Sequence, residues 1–370
     1  MTRCQDKPLR IINSVAPIRI CDNGGWTDTW FAGHGRIFNI GVYPYVEVQI
    51  TVYPRGAEIA GGMAGDRIVL HAENYGQRYA VHPHNAHHEW KGAAGQASPH
   101  PLLEAAIDYM GVPPELAVQI AIYSEAPAGC STGTSAAVSV ALLGALDLLS
   151  PGRSTPLELA YAAHHIETEM LGQQSGVQDQ LCSAFGGINC IEVFRYPHAA
   201  VSPILVPDPV WWELERRLAL IFLGRSHSSS AVHEMVIRGL ENAGPECPQL
   251  EALRRTAAQS RDAVYAGDFC ALGRAMSANT EAQRNLHPAL ISAEAQQVID
   301  IAREFGALGW KVNGAGGEGG SITLLCGPSM STRRAMLRAI AEANPLYQNI
   351  PIYLSRHGLR VWSREPDALA

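Results

Sequence analysis

The amino-acid sequence predicts an α+β protein of two domains with a cleft between them, and three observations carry that prediction. At 370 residues the chain exceeds the length at which a single hydrophobic core usually stops growing. Its first half alternates as strands do and then runs strand, glycine-rich loop, helix over 116–149, while four successive helical segments dominate its second half. A hydrophobic content of 47% supplies material for two cores.

In chain order, apolar alternation predicts strands near 11–20, 37–53, 67–71 and 78–82, followed by a helix near 101–110. Leu116, Val118, Ile120 and Ile122 share one face of the next strand, and Val138, Ala141, Leu142, Ala145 and Leu149 recur at helical spacing. Thr155-Pro156-Leu157-Glu158 is a capping box with proline at the first helical position, so a helix should run from it to Gly172. Strands near 188–194 and 201–206 close a first domain of residues 1–206. After Pro207 and Pro209 a strand at 218–223 leads into helices near 229–242, 248–265, 268–285 and 292–305. Strands at 309–313 and 321–326 around a glycine loop, a helix at 331–343 and short strands at 351–355 and 359–363 complete a second domain of residues 207–370.

Composition narrows the function. A net charge of −7 without a Lys/Arg run argues against nucleic acid, and the chain has only three lysines: Lys7, Lys91 and Lys311. No apolar stretch of about 18 residues could span a bilayer, and the polar opening lacks a signal peptide's apolar run. A soluble, cytoplasmic protein is expected. Eight cysteines without a Cys-x-x-Cys pair point to reduced, packed thiols, not to disulfides or zinc.

Chemistry concentrates in two places. In the loop Pro127 to Ala137, Gly129 and Gly133 let the backbone approach a ligand, and Ser131, Thr132, Thr134 and Ser135 add hydroxyls beside the unpaired amides of a new helix. Such a loop suits a polyphosphate held by amides; the alternative is an ordinary capped helix start. Glu167 near the end of the Thr155 helix and Asp179 after a glycine turn can converge, one ligating magnesium and the other accepting a proton in phosphoryl transfer. Solvated surface acids are the alternative. His82, His84, His87 and His88 could bind a metal, but a solvated loop near the substrate is favoured in that proline- and asparagine-rich stretch. Gly314-x-Gly316-x-x-Gly319 has the spacing of a dinucleotide fingerprint, yet a strand follows it instead of a helix.

Three motifs in order resemble the GHMP kinases, the superfamily of galactokinase, homoserine kinase, mevalonate kinase and phosphomevalonate kinase. They are Ala16-Pro17-Ile18-Arg19-Ile20 with Gly24-Gly25-Trp26-Thr27-Asp28, the loop Pro127 to Ala137, and the glycine loop Lys311 to Gly320. The chain departs from the family pattern at Ser131, Thr132 and Thr134, at Glu318 where glycine is usual, and at Asp22 and Asn23 where apolar or small residues are usual. The resemblance implies an N-terminal ribosomal S5 domain 2-like domain and a C-terminal ferredoxin-like domain. It implies ATP held by Pro127, Gly129, Ser131, Thr132, Gly133, Thr134, Ser135 and Ala136, and Mg2+ held by Ser135 and Glu167. Asp179 resembles the catalytic base, and Arg19 the cation that activates the acceptor hydroxyl. Gly25, Trp26, Thr27, Asp28, Gly176, Gly314, Gly316 and Gly317 form the implied substrate set. Gly-Gly-Trp-Thr-Asp-Thr is most similar to fucokinase-like and heptose-phosphate kinases, which implies a sugar 1-kinase acting on a sugar or sugar phosphate. A homodimer stays open. So do a catalytically silent sugar sensor and a diphosphate decarboxylase on the same fold.

Overall fold

A computed structural model describes residues 7–82, 98–150, 153–226 and 231–366. Of the His82–His88 cluster only His82 lies among the described residues.

The first half builds strands β1 (Arg10–Asn23), β2 (Gly35–Pro54), β3 (Ile68–Ala72) and β4 (Gln77–Ala80) and helix α1 (Pro101–Met110). Strand β5 (Leu116–Ser124) and helices α2 (Thr134–Asp147), α3 (Pro156–His165) and α4 (Gln178–Phe185) follow, then β6 (Ile188–Arg195) and β7 (His198–Pro203). The second half adds α5 (Asp208–Arg217), β8 (Leu218–Phe222), α6 (Ala231–Ala243), α7 (Pro248–Ala266), α8 (Phe269–Leu286) and α9 (Ala293–Glu304). It ends with β9 (Gly309–Val312), β10 (Ser321–Leu325), α10 (Met330–Ala343), β11 (Gln348–Ile350), β12 (Tyr353–Leu354) and β13 (Arg360–Arg364).

Nine strands form one sheet in the order β13-β1-β2-β5-β3-β4, with β12 and β6 also on β2 and β7 on β6. The length of β2 lets it pair β5 at one end and β6 at the other. Helix α2 packs on β1 and β2 and touches α1, α3 and α4, which places the apolar helix start and α4 side by side. The second sheet, β11-β8-β10-β9, is wholly antiparallel. Its strand β8 reads as one apolar run because it is buried on both faces. Leu218, Leu220 and Phe222 join the large core, and Ala219 and Ile221 join the core under α9 and α10.

The elements differ from expectation at four places. The Thr155 helix is α-helical only to His165 and continues as one π turn, Ile166–Met170, which carries Glu167. Helices α4 and α5 are additional, so Asp179 stands in the first turn of a helix and not in a loop. The strand expected at 351–355 shortens to β12 on the large sheet, and β11 just before it is an additional strand of the small sheet.

Candidate active site

The loop before α2 makes three left-handed turns, at Gly129 (φ 70°), Ser131 (φ 57°) and Gly133 (φ 69°). Gly133 caps α2 without a side chain, so the first amides of the helix are left to a ligand. Loop carbonyls are tied back into the protein: Ser226 Oγ donates to Ala128 (2.8 Å), Ser321 Oγ to Cys130 (2.6 Å) and the Arg19 backbone N–H to Thr132 (2.8 Å). Six of the eight expected nucleotide residues, Gly129 and Ser131 to Ser135, line a cavity of about 680 Å³. Pro127 and Ala136 do not line it, and Ala136 is buried beneath the loop.

Arg19 and Asp179 meet on the wall of that cavity. Arg19 Nε donates to Asp179 Oδ1 at 2.7 Å and Nη2 to Oδ2 at 3.1 Å, a bidentate pair, while Nη1 donates to the Ser131 carbonyl. Burial works against the guanidinium's charge, but Asp179 and Asp22 outweigh it and raise its pKa above the ordinary arginine value. Asp179 keeps a quarter of its side chain exposed toward the cavity. Gly133 is where it must be a glycine: a Cβ there would stand 3.0 Å from Asp179 Cγ.

Asp28 is buried beside this pair. Its Oδ2 accepts the Gln178 backbone N–H at 3.1 Å, and burial, partly offset by that donor, pushes its pKa up to about 6. Gly176 leaves room for it, since a Cβ at 176 would collide with the carboxylate. Trp26 adopts φ 76° and packs edge-on to His233, its Nε1 donating to the Ala315 carbonyl at 3.3 Å. Thr27 does not reach the cavity. It is fully buried, and its Oγ1 donates to the Gly24 carbonyl at 2.7 Å. Gly25 also stays behind the wall, against Asp22.

Glu167 lies behind the cavity lining. Its Oε2 accepts Ser175 Oγ at 2.9 Å and Gln180 Nε2 at 2.8 Å, whereas its buried Oε1 has no partner. Burial raises its pKa to about 7, against the pull of the Ser175 hydrogen bond. Among the described residues no three His, Cys, Asp or Glu side chains are grouped to hold a metal. In the C-terminal glycine loop, Gly314 lines the cavity, and Gly316 and Gly317 do not. Gly316 offers its carbonyl to His233 Nε2 at 2.9 Å, and Gly317 N–H donates to the Leu290 carbonyl at 2.7 Å.

The chain matches the GHMP kinases N terminal domain over residues 101–187 and the GHMP kinases C terminal domain over 250–345. A mevalonate kinase from Thermococcus sibiricus is 31% identical over 255 residues, 66% of this chain and 69% of that one. The chain belongs to the GHMP kinases. Another relative is the D-glycero-alpha-D-manno-heptose 7-phosphate kinase of Campylobacter jejuni, 24% identical over 67% of this chain and 71% of that one. The L-fucokinase/L-fucose-1-P guanylyltransferase of Bacteroides fragilis is 22% identical over 95% of this chain and 38% of its own length. Among solved structures, a D-glycero-D-manno-heptose 1-phosphate kinase from Bacteroides thetaiotaomicron superposes with a TM-score of 0.69 at 22% identity, covering 95% of this chain and 98% of that one. Lactococcus lactis galactokinase complexed with galactose gives 0.70 at 14% identity, with 95% of each chain covered. The α+β, two-domain GHMP kinase fold expected from the sequence is thereby established.

The cavity is also lined by residues outside the expected site set. Trp30 and Phe31 follow the Gly-Gly-Trp-Thr-Asp-Thr run directly and stand edge to face, 5.1 Å apart. His233 and Glu234 come from α6, and Gln173, Gln174 and Gln178 flank Asp179. The adjacency of Trp30 and Phe31 to a recognised motif, and of Gln178 to Asp179, was the signal that the sequence offered.

Proposed function

We propose that the chain is an ATP-dependent kinase that phosphorylates a hydroxyl of a sugar, with the anomeric hydroxyl as acceptor. The observation that carries this reading is the Arg19–Asp179 pair, a carboxylate held by a buried guanidinium in the cavity that also contains the amide-rich start of α2. In the proposed step Asp179 accepts the proton of the acceptor hydroxyl as the acceptor oxygen bonds the γ-phosphorus. The bond from that phosphorus to its bridging oxygen breaks, and ADP leaves with the electron pair. Arg19, whose charge is permanent, faces the charge that spreads over the transferring group.

Glu167 fits the magnesium ion that the family implies: one buried oxygen has no partner, and the other is fixed by Ser175 and Gln180. With the exposed Ser135 hydroxyl, Glu167 would hold that ion, which supplies neutralising charge to the phosphates when bound. Residues 1–206 contribute Arg19, Glu167, Asp179 and the phosphate loop to this reading, and 207–370 contribute the glycine loop and α6.

The acceptor half supports a sugar. Trp26, Trp30 and Phe31 offer apolar faces to ring carbons, and Asp28, Gln178 and Glu234 offer hydrogen bonds to hydroxyls. The names of the heptose and fucose kinases among the relatives point the same way.

A pool of free sugars, sugar phosphates and mevalonate, incubated with ATP and magnesium and read by mass, tests the assignment. The expected product is an acid-labile, non-reducing sugar 1-phosphate; phosphorylation of mevalonate alone would overturn the sugar reading. Asp179→Asn keeps the shape but cannot take the proton, so kcat should fall by about 10²- to 10⁴-fold in a folded protein. Near-normal turnover in that variant would remove Asp179 as the base.

A further inference from the structure

Residues three apart in a regular strand point to opposite faces. Cys21 breaks that rule in β1: its φ is 56°, and the β1–β2 register shifts between Ile20 and Asn23. The bulge turns Asp22 back toward Arg19, with Nη1 and Oδ1 3.8 Å apart. Fully buried, Asp22 also takes the Lys311 ammonium at 3.2 Å and the Gly314 backbone N–H at 3.1 Å on Oδ1 and 3.0 Å on Oδ2.

Lys311 has no solvent exposure. It donates to Gln283 Oε1 at 3.1 Å and to the Val312 carbonyl, and burial lowers its pKa against the pull of Asp22. Gln283 Nε2 in turn donates to the Gly314 carbonyl at 2.9 Å. Gly314 is therefore gripped on both sides of its backbone. A Cβ on it would stand 3.2 Å from Ser131 Cβ and 3.6 Å from Arg19 Nη2, so glycine loop, phosphate loop and arginine stack with little spare room.

We propose that Asp22 and Lys311 form a positioning pair that fixes Arg19 and Gly314 on either side of the transfer centre, an inference that rests on the kinase reading above. The pair joins the N-terminal strand to the C-terminal glycine loop beside the reacting groups. Fold stability alone does not call for it, because a buried ion pair is often replaceable by apolar residues without loss. A misplacement of order 1 Å in such a centre can cost about 10²-fold in rate.

The test is the double variant Asp22→Leu/Lys311→Met, which removes both charges at similar volume. In the folded variant kcat should be lowered by about 10- to 100-fold and KM for ATP changed less than about threefold. The Gly314 amide, stripped of its carboxylate, should exchange hydrogen at least about tenfold faster at equal global stability. Wild-type kcat together with wild-type exchange at Gly314 would overturn the proposal. Should the wild type phosphorylate nothing in the pool, the kinase reading falls while Gly314 exchange still decides whether Asp22 holds the loop. If the double variant does not fold, Asp22→Asn serves: its shape is kept but Lys311 loses its counter-charge, and a folded protein with unchanged kcat would equally overturn the pairing.

Discussion

Asp28 receives the Gln178 backbone and side-chain amides, yet burial holds its pKa at about 6 instead of the ordinary 3.8. Because the folded state binds this proton more tightly than the unfolded chain, its ionisation subtracts nothing from stability below the ordinary value and its full penalty above about 6. In the proposed function the sign is opposite, since the ionised carboxylate is the form that would accept two sugar hydroxyls. KM for the sugar should therefore rise as pH falls through about 6, and Asp28→Asn should lose that dependence. A sugar KM that stays flat between pH 5 and 8 in the wild type would take Asp28 out of the acceptor site. Asp28 was legible in the sequence because the Gly24–Asp28 run is local. Asp22 was not, since the Gly314 amide that it holds lies 292 positions away and no short-range pattern can report that pairing.

The boxed helix start at Thr155 was legible, and the helices α4 and α5 were not. Thr155 and Glu158 close the capping box that the sequence spells out, whereas α4 and α5 begin after Val177 and Pro207 with no side-chain cap. At eight residues α4 is also too short for its period to stand out, and the π turn that carries Glu167 leaves no periodic trace. The same placement changes what Gly133 does. From sequence, Gly133→Val should block ATP by closing the backbone's approach. In the fold the added carbons meet Asp179 first, 3.0 Å from its Cγ, at a backbone φ of 69° that a branched residue resists. Gly133→Ala should thus lower kcat by about tenfold or more through the displaced carboxylate, with a smaller change in ATP affinity. Calorimetry showing ATP binding lost while kcat at saturating ATP is retained would restore the simpler view.

The composition and the succession of strands and helices indicated two domains, but not that the chain crosses back at its end. Strands β12 and β13 join the sheet that residues 10–203 build, with β13 covering the edge of β1. Short strands carry too little pattern to name their partners. That return is anchored where two backbones touch at the C-terminal end of α4: Leu359 N–H donates to the Ala184 carbonyl at 3.1 Å, and Gly187 N–H to Ser355 at 2.7 Å. Gly358 is a glycine for closeness, since a Cβ there would collide with the Ala184 carbonyl, a backbone atom that cannot swing aside. Gly56 offers the contrast, with φ 89° and nothing within 4 Å of the added carbon. Gly358→Ala should therefore push β13 away from α4 and cost about 1–3 kcal/mol, lowering kcat as well because α4 carries Asp179 in its first turn. Gly56→Ala should cost only its backbone strain, about 1–2 kcal/mol, and leave kcat where it was. Thermal melting and turnover measured on both variants separate the cases: if Gly358→Ala lowers the melting temperature but not kcat, the C-terminal crossing stabilises the sheet without setting the position of Asp179.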